Sequence, residues 1–212
     1  MADMSNLITR PRNAENAQKW AFYFSKSIII MNMIFNPKIQ IETERLILRF
    51  MDIKDTHDIF VNINHDPDVL KYFIDKYKEK EEEMTLDKTI KFCLDNERYL
   101  FAIELKGTHE VIGMILQCST ANPTFNSSEI GYAIGKKHWN KGYVTEALKA
   151  MIDFVFSLGT HKVVVSYLLG NEASKRVIEK NHMIFEGIRK EEIFYHNKYH
   201  DVAYYYLINP NA

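Results

Sequence analysis

An apolar run, Glu129-Ile130-Gly131-Tyr132-Ala133-Ile134-Gly135, leads into a basic turn, Lys136-Lys137-His138-Trp139-Asn140-Lys141, and then into Gly142-Tyr143-Val144-Thr145-Glu146 at the head of a helical pattern. A strand that ends in a glycine-bearing turn and feeds a helix has what a phosphate site needs. The first turn of a helix carries backbone N–H groups without intrahelical acceptors, together with the positive end of the helix dipole. Gly142 has no side chain to hold a ligand away from the main chain. Lys136, Lys137 and Lys141 add positive potential around it. A glycine before a helix is also an ordinary turn, so this stretch alone leaves both readings open.

The elements around the turn carry their own signals. Val144, Ala147, Leu148, Met151, Ile152, Val155 and Leu158 recur at helical spacing. Val163 to Leu168 reads as a short buried strand, and Asn171 to Lys180 as a helix capped by Asn171. Upstream, Arg45 to Phe50 alternates as a strand does, and Tyr99 to Leu105 and Val111 to Cys118 form a hairpin around Lys106-Gly107-Thr108-His109. Asp55 to Asn64, with Asp55 and Thr56 as capping candidates, Asp66 onward with Pro67 in the first turn, and Thr85 to Glu97 read as helices. Ile184 to Tyr195 and Tyr199 to Ile208 make a last hairpin around Asn197-Lys198. Lys76 to Glu83 is a charged run of the kind that covers a solvated face. This order predicts a mixed α/β (α+β) sheet with helices on its faces.

Thr43-Glu44-Arg45-Leu46-Ile47-Leu48-Arg49, the Lys141-Gly142 turn, and Asn171 to Lys180 followed by Phe185-Glu186-Gly187-Ile188-Arg189 stand in one order along the chain. Together they resemble the GNAT acetyltransferase superfamily, and within it the ribosomal-protein alanine N-acetyltransferase branch, over residues 39–208. The resemblance implies a mostly antiparallel twisted sheet of about seven strands, splayed between the fourth and fifth, with helices around it. It implies that the acetyl-CoA thioester is attacked directly by a primary amine, with no metal. The pyrophosphate is then expected on the backbone of Asn140, Lys141, Gly142, Tyr143 and Val144. The family often has glycine where this chain has Asn140, and alanine or glycine where it has Val144. Pantetheine is expected between the Glu129–Gly135 and Val163–Leu168 strands, with an N–H near Ile134 as the donor to the developing oxyanion.

Asn171 matches the family asparagine that contacts the cofactor arm, and it also suits an N-cap. Glu129 matches the position where the family often places a base, and it also suits a solvent-facing carboxylate. The tyrosine that many members use toward the leaving thiolate is replaced by Ile178. Ser174, one turn after Asn171, is the substitute, or else a capping or packing residue. His182 stands where the family has glycine, so it is expected in a strained backbone conformation.

The chain has 212 residues, enough for one domain with a substantial core. A net charge of −1 implies no global attraction to nucleic acid or to an anionic membrane, so any anion site is local. Cys93 and Cys118 lack metal-ligand spacing and fit buried free thiols in a reducing cytoplasm. His196 and His200 with Asp201 flank a hairpin turn and read as surface residues rather than metal ligands. Trp139 and Tyr143 have no basic stripe beside them and read as wall residues, not nucleic-acid platforms.

Residues 1–38 are expected to be an extension to the domain of residues 39–212. Trp20 to Phe35 is apolar but interrupted and too short for a membrane span, and no small-residue cleavage site follows it. A packed helix, a partner-binding arm and an upstream start (Met31 and Met33 follow) remain open. So do monomer and homodimer. The leading function is acetyl-CoA-dependent N-acetylation, with the α-amine of a protein such as a ribosomal protein as acceptor. Alternatives are a small amine (a polyamine, an amino acid or an aminoglycoside), for which Glu79–Glu83 and Glu191–Glu192 would supply acidity, and a non-catalytic acetyl-CoA-binding module.

Overall fold

Strand β5 (Ser127–Ile134) lies fifth in a sheet of eight strands, and its neighbours determine what the phosphate turn can reach. The computed structural model describes residues 39–73, 78–95, 98–119 and 126–211. These residues belong to the compact unit Lys38–Ala212, and the extension lies outside the described residues. The strands are β1 (Gln40–Glu42), β2 (Leu46–Phe50), β3 (Tyr99–Leu105), β4 (Val111–Ser119), β5, β6 (Lys162–Leu168), β7 (Ile184–Tyr195) and β8 (Lys198–Ile208). They run in the order β1-β2-β3-β4-β5-β6-β8-β7. All neighbours are antiparallel except β5 and β6.

The sheet therefore has eight strands where about seven are expected. The added one is β1, which pairs Gln40 with Arg49 and is only three residues long. So short a strand carries no readable alternation. It moves the splay in strand number only, to the gap between the fifth and sixth strands.

Both faces of β3 and its neighbours are covered, which is why β3 is buried along nearly its whole length. One face takes the segment α1 (Thr56–Ile59), which widens into a π-helical stretch at Phe60–Asn64, and α3 (Leu86–Asp95). Ile59, Ile63, Leu86 and Cys93 meet Leu100, Ala102 and Ala133 there. The other face takes α4 (Tyr143–Ser157), whose Phe154 meets the rings of Tyr99 at 5.5 Å and Phe101 at 5.8 Å. Cys93 is a buried free thiol, and the Cys118 side chain is outside the described residues.

The first helix is capped earlier than expected. Asp52 accepts from Lys54 N–H, while Asp55 turns inward, accepting from Asp52 N–H and gripping Arg49 with both oxygens at 2.8 Å. Buried opposite a guanidinium, Asp55 serves as the back half of a capping box rather than as the cap. Thr56 donates to Ile53 O instead of capping. Further on, Asp66 caps α2 (Pro67–Leu70), with proline in its first turn. The last hairpin turns at His196 and Asn197 rather than at Asn197 and Lys198, because Lys198 already pairs with Tyr195; both turn residues take positive φ (48° and 58°), as a two-residue turn of this kind requires. His182 takes the left-handed conformation expected of it, at φ 57°.

Candidate active site

The parallel ladder between β5 and β6 runs from Ser127/Lys162 to Glu129/Val164 and stops there. Beyond that point the two strands part. Gly135 N–H donates to Ile112 O, so in an antiparallel ladder the N–H groups of Ile130, Tyr132 and Ile134 point away from β4; that of Ile130 closes the last bridge of the β5–β6 ladder, and those of Tyr132 and Ile134 face the opening. The Ile134 carbonyl accepts from Trp139 Nε1 at 3.0 Å, which fastens the following turn to the end of the strand. A ligand lying in this wedge meets main-chain donors that no strand occupies. Strand geometry alone makes the wedge a place for an extended, amide-bearing chain.

At the open end, Lys136–His138 makes a single turn, and Asn140 and Gly142 take left-handed conformations at φ 60° and 79° before α4 begins. Asparagine is among the few residues that tolerate this conformation, which explains how Asn140 stands where the family often has glycine. The first helical bond runs from Glu146 N–H to Gly142 O, so the N–H groups of Tyr143, Val144 and Thr145 lie ahead of it at the positive helix end. Arg45 braces this turn. Its Nη1 donates to Lys141 O at 2.8 Å, its Nε meets Glu146 at 2.7 Å, and its guanidinium lies 4.6 Å from the centre of the Tyr143 ring. Glu146 also accepts from Arg45 N–H and Thr43 Oγ1, and these bonds hold its carboxyl below the usual range against the opposing effect of burial.

The expected lysine field is smaller than the sequence indicates. Lys136 is paired with Asp68 and Lys137 with Glu110, so Lys141 is the lysine of the three without such a partner among the described residues. His138 is buried, with Nε2 toward Glu110 at 3.3 Å and Nδ1 lacking a partner among the described residues. Burial pushes its pKa down, which keeps the ring neutral beside the turn.

Asn171 caps α5 (Glu172–Lys180), and Ser174 lies in its first turn. Asn171 Oδ1 accepts from Ser174 N–H at 3.1 Å, so the cap exists and the asparagine N–H₂ group is not spent on it. Ser174 is buried, and its Oγ lies 2.7 Å from the Tyr132 hydroxyl on β5. Burial pushes the Tyr132 phenol up to about 12. Ile178 is fully buried in the core.

Glu129 lies apart from these groups. It is five residues before Ile134, roughly 16 Å along a strand, and on the opposite face of β5 from Tyr132. That face is open between β5 and β7, where a cleft of about 560 Å³ is lined by Glu129, Arg189 and Tyr204 among others. Ser166 Oγ donates to Glu129 at 2.7 Å. Tyr195 donates to Leu70 O and Phe73 O, and Tyr72 to Gly170 O, joining the α2 segment to the β7–β8 hairpin and the β6–α5 loop.

Other expected features fall elsewhere. No carboxylate of either acidic cluster lines the cleft, and Glu81 pairs with His57 and Glu192 with Arg189. His200 Nε2 bonds Tyr195 O, and Asp201 is held by Lys190 and Glu191 N–H. Among the described residues no helix is long and apolar enough to cross a membrane. The sequence reading missed Arg45, Thr43 and Glu146 as the brace of the turn, and Tyr132 as the partner of Ser174. Alternation along β5 puts Tyr132 on the side of Ile130 and Ile134, the one local signal available for it.

The model of the acetyltransferase (GNAT) domain matches residues 45–184, which span the wedge, the turn and α5. The chain belongs to the GNAT acetyltransferase family. An uncharacterized N-acetyltransferase of Bacillus subtilis (strain 168), YoaA, is 27% identical over 172 residues, covering 80% of this chain and 97% of that one. The ribosomal-protein-serine acetyltransferase of Escherichia coli (strain K12) is 31% identical over 97 residues, 45% of this chain and 54% of its own. The crystal structure of spermidine N-acetyltransferase from Vibrio cholerae, in complex with CoA and spermine, superposes with a TM-score of 0.67 at 24% identity, covering 79% of this chain and 97% of that one. This GNAT protein is an N-acetyltransferase. Its mixed, largely antiparallel sheet flanked by helices is the family fold.

Proposed function

We propose that this enzyme transfers the acetyl group of acetyl-CoA to an α-amine, that of a protein N-terminus or of a small molecule built like one. The observation that carries the reading is the end of the β5–β6 ladder at Glu129/Val164, which leaves the N–H groups of Tyr132 and Ile134 on β5 facing a wedge that opens onto the Gly142 turn. The residues fit acetyl-CoA. The turn offers backbone donors and a bare Gly142, while the wedge offers a pseudo-strand place for pantetheine. Bound there, acetyl-CoA supplies a thioester whose carbonyl carbon an amine can attack.

Each residue then has one task. The backbone of Asn140, Lys141, Gly142, Tyr143 and Val144 holds the pyrophosphate. The Asn171 N–H₂ group holds the cofactor arm. Ile134 N–H donates to the carbonyl oxygen as it gains charge, and a fixed dipole of this kind is worth several kcal/mol. Glu129 takes the proton that the incoming ammonium must lose, through water given its distance along the strand. The C–S bond breaks as the C–N bond forms, the nitrogen gives its second proton to water, and the sulfur leaves as a thiolate. Ser174 Oγ donates to the leaving sulfur.

Tyr132 positions that serine. With its pKa at about 12 the phenol stays protonated at neutral pH, and when it donates to Ser174 Oγ it turns the serine hydrogen outward. A thiolate of ordinary pKa (~8.5) needs a hydrogen bond more than full protonation. Ser174→Ala is expected to lower kcat by roughly tenfold or more with little change in acetyl-CoA affinity. Tyr132→Phe should do the same in the parent and add little in Ser174→Ala, since the two act through one hydrogen bond. The Tyr132→Phe loss should stay constant from neutral pH to about pH 10, because the phenol does not titrate below that. Additive losses would remove the coupling, and full-speed Ser174→Ala would remove the serine.

The acceptor follows from charge. An α-amine has a pKa of about 8 and needs little help to lose its proton, which suits a site with one candidate base. The similarity to a ribosomal-protein-serine acetyltransferase supports a protein acceptor. Similarity to a spermidine enzyme supports a polyamine, but Lys162 neutralises Glu186 and Arg189 faces the same cleft, so the site lacks the excess of carboxylates a polycation calls for. Acetyl transfer from acetyl-CoA to a panel of α-amino peptides, amino acids and polyamines tests this reading, with calorimetry of acetyl-CoA binding beside it. Fastest turnover of an α-amine is expected. No binding and no transfer would refute the enzyme reading, and transfer to polyamines alone would refute the acceptor.

A further inference from the structure

The open face of the sheet carries a row of side chains across four strands. Glu129 on β5 is bonded by Ser166 on β6 at 2.7 Å. Ser166 is registered opposite Tyr204 on β8, and Tyr204 in turn opposite Gly187 on β7. From two residues beyond Gly187, Arg189 reaches back so that its guanidinium lies 4.3 Å from the centre of the Tyr204 ring. The row is negative at its β5 end and positive at its β7 end, and both ends line one cleft.

Neither end is cancelled by the other cleft charges. Lys162 and Glu186 are bonded to each other at 2.6 Å, which leaves Glu129 and Arg189 as the outward pair. Arg189 Nη1 bonds Glu192 at 3.0 Å, but a guanidinium carries five N–H groups in a planar fork, so donors remain for a carboxylate. The hydrogen bond to Glu192 does most to hold Arg189 protonated, with the Tyr204 phenol and the Glu129 charge adding to it. Stacking on Tyr204 fixes the plane of the fork, so less side-chain freedom is lost when it grips a ligand.

Resting on the N-acetyltransferase reading above, we propose that the acceptor carries a carboxylate near its amine, and that Arg189 binds this carboxylate while Glu129 reaches the amine through water. The row is shaped for a dipole. A polycation would meet Arg189 as a repulsive group, and a neutral amine would leave it unused. Two sources share this chemistry: a free amino acid, through its α-carboxylate, and a peptide N-terminus followed by an acidic side chain. Arg189 is then a specificity residue and no part of the bond-making step.

The test compares four acceptors at saturating acetyl-CoA: L-alanine, the amide of Ala-Asp, alaninamide and spermidine. At least one of the two acidic acceptors should exceed alaninamide in kcat/KM by about tenfold, with the difference in KM, as a charge-assisted pair gives. Whichever of the two is faster identifies the source. Arg189→Gln should remove most of that advantage, falling about tenfold further on the acidic acceptor than on alaninamide, and Arg189→Lys should restore part of it. Arg189→Glu should move the preference toward spermidine. Arg189 is exposed on the edge strand, and a thermal melt of each variant checks that it folds.

Equal use of alaninamide and the acidic acceptors would overturn the proposal. So would an Arg189→Gln loss of the same size on every acceptor, or wild-type preference for spermidine. These outcomes leave acetyl transfer standing. Failure of acetyl-CoA to bind in calorimetry, with no transfer to any of the four, would overturn the enzyme reading itself.

Discussion

Replacing Glu129 by glutamine is expected to slow acetyl transfer by about 10²-fold at neutral pH while leaving the fold in place. The two side chains are nearly equal in size, and glutamine can still accept the Ser166 hydrogen bond that holds Glu129 at 2.7 Å. Only the ability to take a proton is lost. An amine attacks the thioester only after losing its extra proton, and the wild-type cleft offers Glu129 for that proton, through water along the strand. As pH rises past about 8 the solvent itself delivers free α-amine, so the deficit should shrink toward mildly alkaline conditions. A residue that only packs predicts a ratio of mutant to parent that does not change with pH. Rates measured across neutral to mildly alkaline pH decide the matter, and a flat ratio would leave Glu129 as part of the acceptor cleft alone. The separation from Ile134 makes this test a demanding one, because proton transfer over that span needs an ordered water path.

The parts of this molecule that could be read from sequence are the local ones. The Gly142 turn, the helical period of α4 and the Asn171 cap each depend on residues within a few positions of one another, so a pattern exists to be read. The last hairpin is legible for the same reason, since two residues at positive φ confine the turn. Where a partner lies far along the chain, no pattern exists. Ser174 finds Tyr132 at a separation of 42 residues, Glu129 finds Ser166 at 37, and Arg45 finds Glu146 at 101.

Size and burial account for other differences. A strand of three residues, β1, has too little alternation to be seen, and it is held by pairing with β2. Asp55 looked like a cap because it precedes a helix. The half-buried guanidinium of Arg49 draws it inward and leaves the capping to Asp52. Lysines beside a phosphate turn suggest a strong field, yet Asp68 and Glu110 take two of the three. Glycine at 135 has a reason invisible locally: a Cβ there would stand 2.9 Å from Asn62 Oδ1, on the π-helical stretch that closes over the strand end.

Gly142→Val is expected to raise the acetyl-CoA dissociation constant tenfold or more, which is about 1.4 kcal/mol or above. Two effects act at this position. Gly142 sits at φ 79°, where a β-branched residue is strained, at a cost of roughly 1–2 kcal/mol. A Cβ would also lie 3.4 Å from Arg45 Nη2, so the larger valine side chain presses on the guanidinium that braces Lys141 O and Glu146. Strain alone lowers stability, whereas displacement of the turn moves the backbone donors off the phosphates. Gly107→Val separates the two. Gly107 has φ 91° and open space around its Cβ, and it lies in the β3–β4 turn rather than at the head of α4. Both variants should melt earlier than the parent, and only Gly142→Val should lose acetyl-CoA affinity by calorimetry. Equal affinities in the two folded variants would mean that the pyrophosphate does not rest on this turn, and the cofactor residues assigned to it would have to be sought elsewhere along the wedge.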